Sequence, residues 1–70
     1  MKLRTFEELT YIEKNIVALK FACDVLKDNE GDKEIEGIYG YTVYTLVNEL
    51  YRLGLSKDEI MNYKVENFEM

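Results

Sequence analysis

Apolar residues in the first third of the chain recur with the period of an α-helix. The pattern begins at Thr5–Glu8, a Thr-x-x-Glu sequence in which the two side chains bond each other's backbone N–H groups at a helix N-terminus. The apolar positions then follow in steps of three and four residues, which places them on one helical face. We therefore predict a first helix from this capping box to about Asp28. The stripe consists of Leu9, Ile12, Ile16, Leu19, Cys23 and Leu26.

A polar segment, Lys27–Glu34, separates this helix from the next apolar stretch and contains one glycine. We predict a loop there, because glycine permits backbone conformations that other residues avoid. From Ile35 or Tyr39 to Leu53 the apolar residues again follow helical spacing, which favours a second helix. The stretch Ile38–Tyr44 also suits a strand, since it is rich in β-branched and aromatic residues and contains a helix-weakening glycine. A strand therefore stays open as the alternative there.

The end of the chain carries a second set of helix signals. Gly54 is placed to end the second helix, and Ser56–Glu59 is another capping box. We predict a short third helix over Lys57–Lys64 and an irregular segment over Val65–Met70. The inward-facing residues of this helix are expected to be Ile60, Met61 and Tyr63.

These elements predict an all-α fold: one domain over residues 1–70, built as an antiparallel two-helix hairpin with a short third helix. The first helix also has a second apolar ridge, Val17, Phe21 and Val25, on another side. Helices that are apolar on two sides are usually buried on two sides. A chain of this length buries only about 60% of its unfolded surface, so added support is expected. We predict a homodimer that completes a helical bundle, with this ridge at its interface.

Composition restricts the chemistry. The net charge is −5, and no two of the nine basic residues are adjacent, whereas phosphate binding normally needs a basic patch. Direct nucleic-acid binding is therefore not expected. With one cysteine and no histidine, neither an internal disulfide nor a structural zinc site is expected. Cys23 lies in the apolar stripe, which predicts a small core residue. The chain lacks roughly 20 consecutive apolar residues and an apolar signal core, so we expect a cytoplasmic protein.

An acidic segment provides the one candidate metal site. Asp32, Glu34 and Glu36, followed by Gly37, match the first half of a calcium-binding EF-hand loop. The twelfth position of such a loop should be a bidentate glutamate, but it is Val43, so we predict a solvated loop without metal or cofactor. Enzymatic activity is not expected either, because histidine is absent and helix N-termini account for the paired carboxylates.

Two tyrosines are the candidate binding residues. Tyr44 and Tyr51 lie seven residues apart, on a side of the second helix away from its main apolar face. Tyrosine suits interfaces because it combines a rigid apolar ring with a polar end. We predict that a partner protein contacts both rings and that Asp32 and Glu34 steer its approach. The chain would then be a non-enzymatic interaction, inhibitor or regulatory protein.

Two alternatives remain open. Leu50–Ile60 resembles the middle of a helix-turn-helix unit, which implies a DNA-binding regulator, although Asp58 and Glu59 occupy the end that should meet base edges. A purely structural homodimer is the other alternative. In size and acidity the chain resembles small accessory proteins of phages and mobile elements, which implies stoichiometric binding to a protein.

Overall fold

The computed structural model describes residues 2–68 and is all-α, as predicted. Met1, Glu69 and Met70 lie outside the described residues, and with them the end of the predicted irregular segment Val65–Met70. The helices are α1 (Tyr11–Asp28), α2 (Lys33–Arg52) and α3 (Lys57–Met61), and a 3-10 turn spans Phe6–Glu8.

The two long helices pack along each other as an antiparallel hairpin. Tyr11 at the start of α1 donates its hydroxyl to Glu49 near the end of α2, at 2.6 Å. At the other end, the backbone N–H of Asp32 reaches the carbonyl of Asn29 at 3.1 Å, so the connection is a tight turn. Within residues 2–68, none of the helices is both long and apolar enough to cross a membrane.

The second helix is longer than predicted. Asp32 is its N-cap residue, and one carboxylate oxygen accepts from the backbone N–H groups of Glu34 and Ile35 at 3.2 Å each. The predicted loop Lys27–Glu34 is therefore too long, because both helices extend into it. The strand alternative for Ile38–Tyr44 is wrong, since this stretch lies inside α2.

The first helix begins later than predicted. The Thr5 capping box closes only the 3-10 turn, in which the N–H of Thr5 donates to the Glu8 carboxylate at 2.7 Å. Leu9 then adopts an extended conformation and is buried, and Thr10 caps α1 through a further box with Glu13. Two Thr-x-x-Glu sequences lie five residues apart. The second one starts α1, because the extended backbone of Leu9 ends the helical turn that follows the first.

The end of α2 has the geometry that the sequence predicts. Gly54 has a φ of 98°, and its N–H donates to the carbonyl of Tyr51 at 3.0 Å. The N–H of Leu55 donates to the carbonyl of Leu50 at 3.1 Å, which completes a Schellman motif. Leu55 also packs against the core cluster that contains Leu50. This turn sets the direction in which the chain enters α3.

The third helix is shorter than predicted, and of the three residues expected to face inward, Ile60 and Tyr63 pack in or against the core but Met61 does not. It ends at Met61, where Asn62 is the C-cap. The Lys20 ammonium donates to the carbonyl of Tyr63 at 2.8 Å, so this residue is bound to α1 outside the helix. Ile60 is buried as expected, but the inward placement of Met61 is wrong, because its side chain is 69% exposed. Neighbours in a helix point about 100° apart, so Met61 lies outside the buried side of α3 on which Ile60 lies.

One small cluster forms the core and lies at the end of the hairpin where α1 begins and α2 ends. Its buried members are Ile16, Leu19, Leu50 and Ile60, and Leu46, Val47 and Val65 are among the half-buried residues around it. Ile16 and Leu50 are 1% and 0% exposed. Burial of such side chains contributes about 1.5–3 kcal/mol each.

The prediction that Cys23 is a core residue is wrong. Its thiol is exposed, while the neighbouring Ala22 is buried. The small side chain of Ala22 fits a buried position on α1, and the next residue along the helix turns about 100° away from it. The apolar spacing in the sequence therefore predicted the helix correctly, but it assigned Cys23 to the buried side in place of Ala22.

A charged clamp joins the two ends of the described chain. The Arg4 guanidinium donates to both carboxylate oxygens of Glu13, at 3.1 and 2.8 Å, and also to the carbonyl of Glu66. The N–H of Arg4 meets the carbonyl of Asn67 at 2.6 Å. The bonds from Arg4, followed by the one from the Thr10 backbone, hold the pKa of Glu13 at about 2.

Gly54→Ala should destabilise the protein by about 1–2 kcal/mol, because alanine is strained at a left-handed backbone position. The measurement is urea denaturation followed by circular dichroism. The matched control is Gly37→Ala, inside α2, where an added Cβ would meet nothing within 4 Å. This control should stabilise the protein by up to about 1 kcal/mol. Equal stability of Gly54→Ala and the parent chain would contradict the assigned turn.

Acid should destabilise the protein progressively between about pH 4.5 and 2. The pKa of Glu13 and that of Glu49 are both about 2 in the fold, against about 4.3 in an unfolded chain. The unfolded state therefore binds more protons in this window, and stability falls as the pH falls. Melting temperatures at pH 6, 4 and 2.5 provide the measurement. Arg4→Gln should reduce the difference between pH 6 and 2.5, and an unchanged difference would contradict the clamp.

Candidate interaction surfaces

Tyr44 and Tyr51, the two tyrosines predicted to contact a partner, lie on the surface of α2. Their exposed fractions are 65% and 46%. Both belong to a row of exposed residues spaced four, three, four and three positions apart along the outer side of the helix. We call this row the outer stripe: Gly37, Tyr41, Tyr44, Asn48 and Tyr51. The opposite side of α2 carries the residues that pack towards α1.

The outer stripe belongs to a stretch of α2 without any charge. From Gly37 to Asn48, twelve consecutive residues on all sides of the helix are uncharged. The apolar residues of this stretch lie on more than one side of the helix, yet α1 packs against only one side of α2. Tyr41 and Ile38 are accordingly 69% and 58% exposed. The stripe is thus an apolar surface without a partner in the described chain.

Two glycines lie in the interior of α2: Gly37, which is exposed on the outer stripe, and Gly40, which is half-buried. An added Cβ at Gly37 or Gly40 would meet nothing within 4 Å, so no contact inside residues 2–68 requires a glycine at either position. Each glycine still weakens a helix interior by up to about 1 kcal/mol. Because Gly37 has no side chain, there is open space beside the outer stripe that a side chain of another protein could fill.

The acidic residues proposed to steer a partner have different roles in the structure. Glu34 is exposed in the first turn of α2. Asp32 also lies at the surface, but its carboxylate caps α2, so it is not a purely steering charge. Glu36, the third acidic residue of the candidate calcium loop, accepts from the N–H of Gly31 at 3.1 Å. Within residues 2–68, no three acidic or cysteine side chains are grouped to hold a metal ion.

The second apolar ridge of α1 faces away from α2. Phe21 is 61% exposed, while Val17 and Val25 are half-buried. Charged residues interrupt the ridge on the same side: Asp24 follows Phe21 by one turn, and Asp28 follows it by two. Phe21 is therefore the single strongly exposed apolar side chain of this ridge.

A groove lies between the three helices on the side where α3 packs. Its volume is about 320 Å³, near the lower end of ligand-sized cavities. Met61 and the exposed Cys23 border it because α3 ends before covering this side of the hairpin. The floor is apolar, and Lys57 stands at the rim. The groove-lining residues of the two long helices are Leu19, Cys23, Val43, Val47 and Tyr51.

Sequence reasoning placed Tyr44 and Tyr51 away from the main apolar face of α2, but it did not single out Ile38 and Tyr41, which are also exposed. The available signal was the absence of charge between Glu36 and Glu49, which is unusual in a chain where a third of the residues are charged. The uncharged stretch includes all four of these residues except Tyr51, whereas helical spacing alone pointed only to Tyr44 and Tyr51.

No protein-family model matches the chain, and no curated protein or solved structure is significantly similar to it. Its function is therefore inferred from the surface chemistry of the molecule itself.

Tyr44→Ala should leave the stability of the dilute protein within about 0.5 kcal/mol of the parent, because an exposed ring makes few internal contacts. Leu50→Ala, in the same helix, is the matched control and should cost about 2–5 kcal/mol, since Leu50 is fully buried. Urea denaturation at the lowest workable protein concentration provides the measurement. A loss above about 1 kcal/mol for Tyr44→Ala would place its ring inside the fold.

Proposed function

We propose that this chain is a small acidic, non-enzymatic interaction protein that acts by stoichiometric protein–protein binding through the outer stripe of α2. One observation carries the proposal: three turns of α2 have no charge on any side, and their outer side is exposed. Apolar surface of this kind is stabilised when a partner removes it from water.

The exposed rings supply the binding energy in this proposal. Tyr44 and Tyr51 are the anchors, because truncating a buried interface aromatic often costs about 2 kcal/mol or more. Their rings are rigid, so little conformational freedom is lost on binding. Glu34, exposed beside the stripe, affects the rate of association and its salt dependence, as peripheral charges generally do.

Self-association is part of the same proposal. The outer stripe lies on the exposed side of α2, and Phe21 of the ridge Val17, Phe21 and Val25 is exposed on α1. Only Tyr51 of the stripe also lines the groove beside α3. Either the stripe or the ridge offers apolar surface to a second copy, which would complete a helical bundle. The two surfaces differ in charge, because acidic residues interrupt the α1 ridge and none interrupts the centre of the stripe.

The charges of α3 make the alternative of a DNA-binding regulator less favourable. α3 contains only five residues, and both Asp58 and Glu59 lie exposed in its first turn. A recognition helix places this end against DNA, where two carboxylates would meet phosphate charge. Protein binding therefore remains the function that the surface favours.

Tyr44→Ala and Tyr51→Ala should each weaken binding of a captured protein partner at least about tenfold, or roughly 1.4 kcal/mol. The partner is isolated by affinity capture from cells that produce the chain, and its affinity is then measured by calorimetry. Circular dichroism should show unchanged helicity in both variants.

Phe21→Ala is the matched control, because Phe21 is about as exposed as Tyr44 but lies on α1. It should bind the captured protein like the parent chain. Loss of binding in Phe21→Ala, together with full binding in Tyr44→Ala, would assign the contact to α1 and contradict the proposal.

A further inference from the structure

We propose that a second copy of this chain occupies the outer stripe, with the two α2 helices antiparallel about a twofold axis between Tyr41 and Tyr44. This inference rests on the proposed function, because it names the protein that the stripe binds. The observations that support the inference are the spacing of the stripe, the charges at its two ends and the open space at Gly37.

The spacing of the stripe is that of a helix–helix seam. Steps of four, three, four and three residues keep successive positions in line along a partner helix, as the a and d positions of a coiled coil do. All five stripe residues are exposed, and α1 already covers the opposite side of the helix. The stripe therefore has the geometry to accept one further helix along its length.

The charges at the two ends of the stripe complement each other in an antiparallel pair. Glu34 and Arg52 are eighteen residues apart, which is five helical turns, so they lie on the same side of α2 at opposite ends. A twofold axis across the helices brings Glu34 of each copy towards Arg52 of the other. The Arg52 side chain is 68% exposed even while it pairs with Glu49, so it remains accessible to a second carboxylate.

A parallel pair lacks this complementarity. It would place the acidic starts of both α2 helices, each with Asp32, Glu34 and Glu36, side by side in two copies of a chain that already carries −5. Like charges in contact cost several kcal/mol at interfaces. The uncharged centre of the stripe, by contrast, lets two such acidic chains meet without repulsion between facing side chains.

The shape of the outer stripe also complements the outer stripe of a second copy of the chain. With the axis between Tyr41 and Tyr44, each of these rings lies beside the other tyrosine of the second copy, and Gly37 lies opposite Asn48. The open space at Gly37 leaves room for the Asn48 side chain of the second copy. The three stripe tyrosines, at 69%, 65% and 46% exposure, offer roughly 300–400 Å² of contact. A standard interface uses about 800 Å² per partner, so these rings supply about half of one, and we expect a weak, concentration-dependent dimer.

Sedimentation equilibrium of the full chain between about 1 and 200 μM tests the proposal, a range chosen to detect a weak, concentration-dependent dimer. The parent chain should shift from 8.3 kDa to twice that mass as its concentration rises. Tyr44→Glu should weaken the dimer at least about 100-fold, because it places two carboxylates close to the twofold axis. Phe21→Glu, the same change on an equally exposed ring of α1, should leave the dimer intact.

Charge reversal tests the antiparallel arrangement. Glu34→Arg and Arg52→Glu should each weaken the dimer by about five- to tenfold, and the double variant should recover most of the parent affinity. Circular dichroism confirms that each variant stays helical. Recovery in the double variant supports the contact between opposite ends, since neither a monomer nor a parallel pair predicts it.

Three results would overturn the proposal. These are a parent chain that stays at 8.3 kDa throughout, a dimer lost in Phe21→Glu but kept in Tyr44→Glu, or a double charge variant no better than the single ones. The first result leaves the proposed function intact if Tyr44→Ala still weakens binding of a different captured protein. If that binding is also unaffected, the proposed function fails as well.

Discussion

The packing of Leu50 against Ile16 is the contact on which the rest of the molecule depends. These two side chains are almost completely removed from water, and Leu19 and Ile60 join them from the neighbouring turn and from α3. The contact aligns the two long helices. It also fixes the end of α2, because Leu50 supplies the carbonyl that closes the Schellman turn. That turn leads the chain back so that Ile60 can complete the same cluster.

Helical spacing and end signals were sufficient to predict this architecture. The apolar stripes located α1 and α2, and Gly54 and Ser56 located the turn into α3, because each of these features acts over a few residues. Positions that depend on the relative rotation of packed helices were not predictable in this way. Cys23 and Met61 appeared equivalent to buried neighbours in the sequence, but their exposure depends on where α2 and α3 lie in three dimensions. The start of α1 was missed because two similar capping boxes compete locally.

The acidity of the chain is partly accounted for by its own helices. Glu8, Glu13, Asp32 and Glu59 each accept from backbone N–H groups at the start of a helix or turn. Negative charge at such positions stabilises the helix, so a basic partner is not needed to explain these residues. The missing charge in the middle of α2 has no comparable local explanation. For this reason the uncharged surface says more about binding than the net charge does, and only the fold shows which part of it is exposed.

The uneven distribution of burial along the hairpin implies an uneven local stability. No residue between Cys23 and Glu49 is fully buried, whereas the opposite end of the hairpin contains the whole core cluster. Segments with few buried contacts open locally at a lower free energy than the global unfolding transition. The tip of the hairpin should therefore exchange its amide hydrogens faster than the core end. Since Gly37 and Tyr41, at the start of the outer stripe, lie in this less stable part of the hairpin, a protein bound there would slow that exchange and couple recognition to the completion of folding.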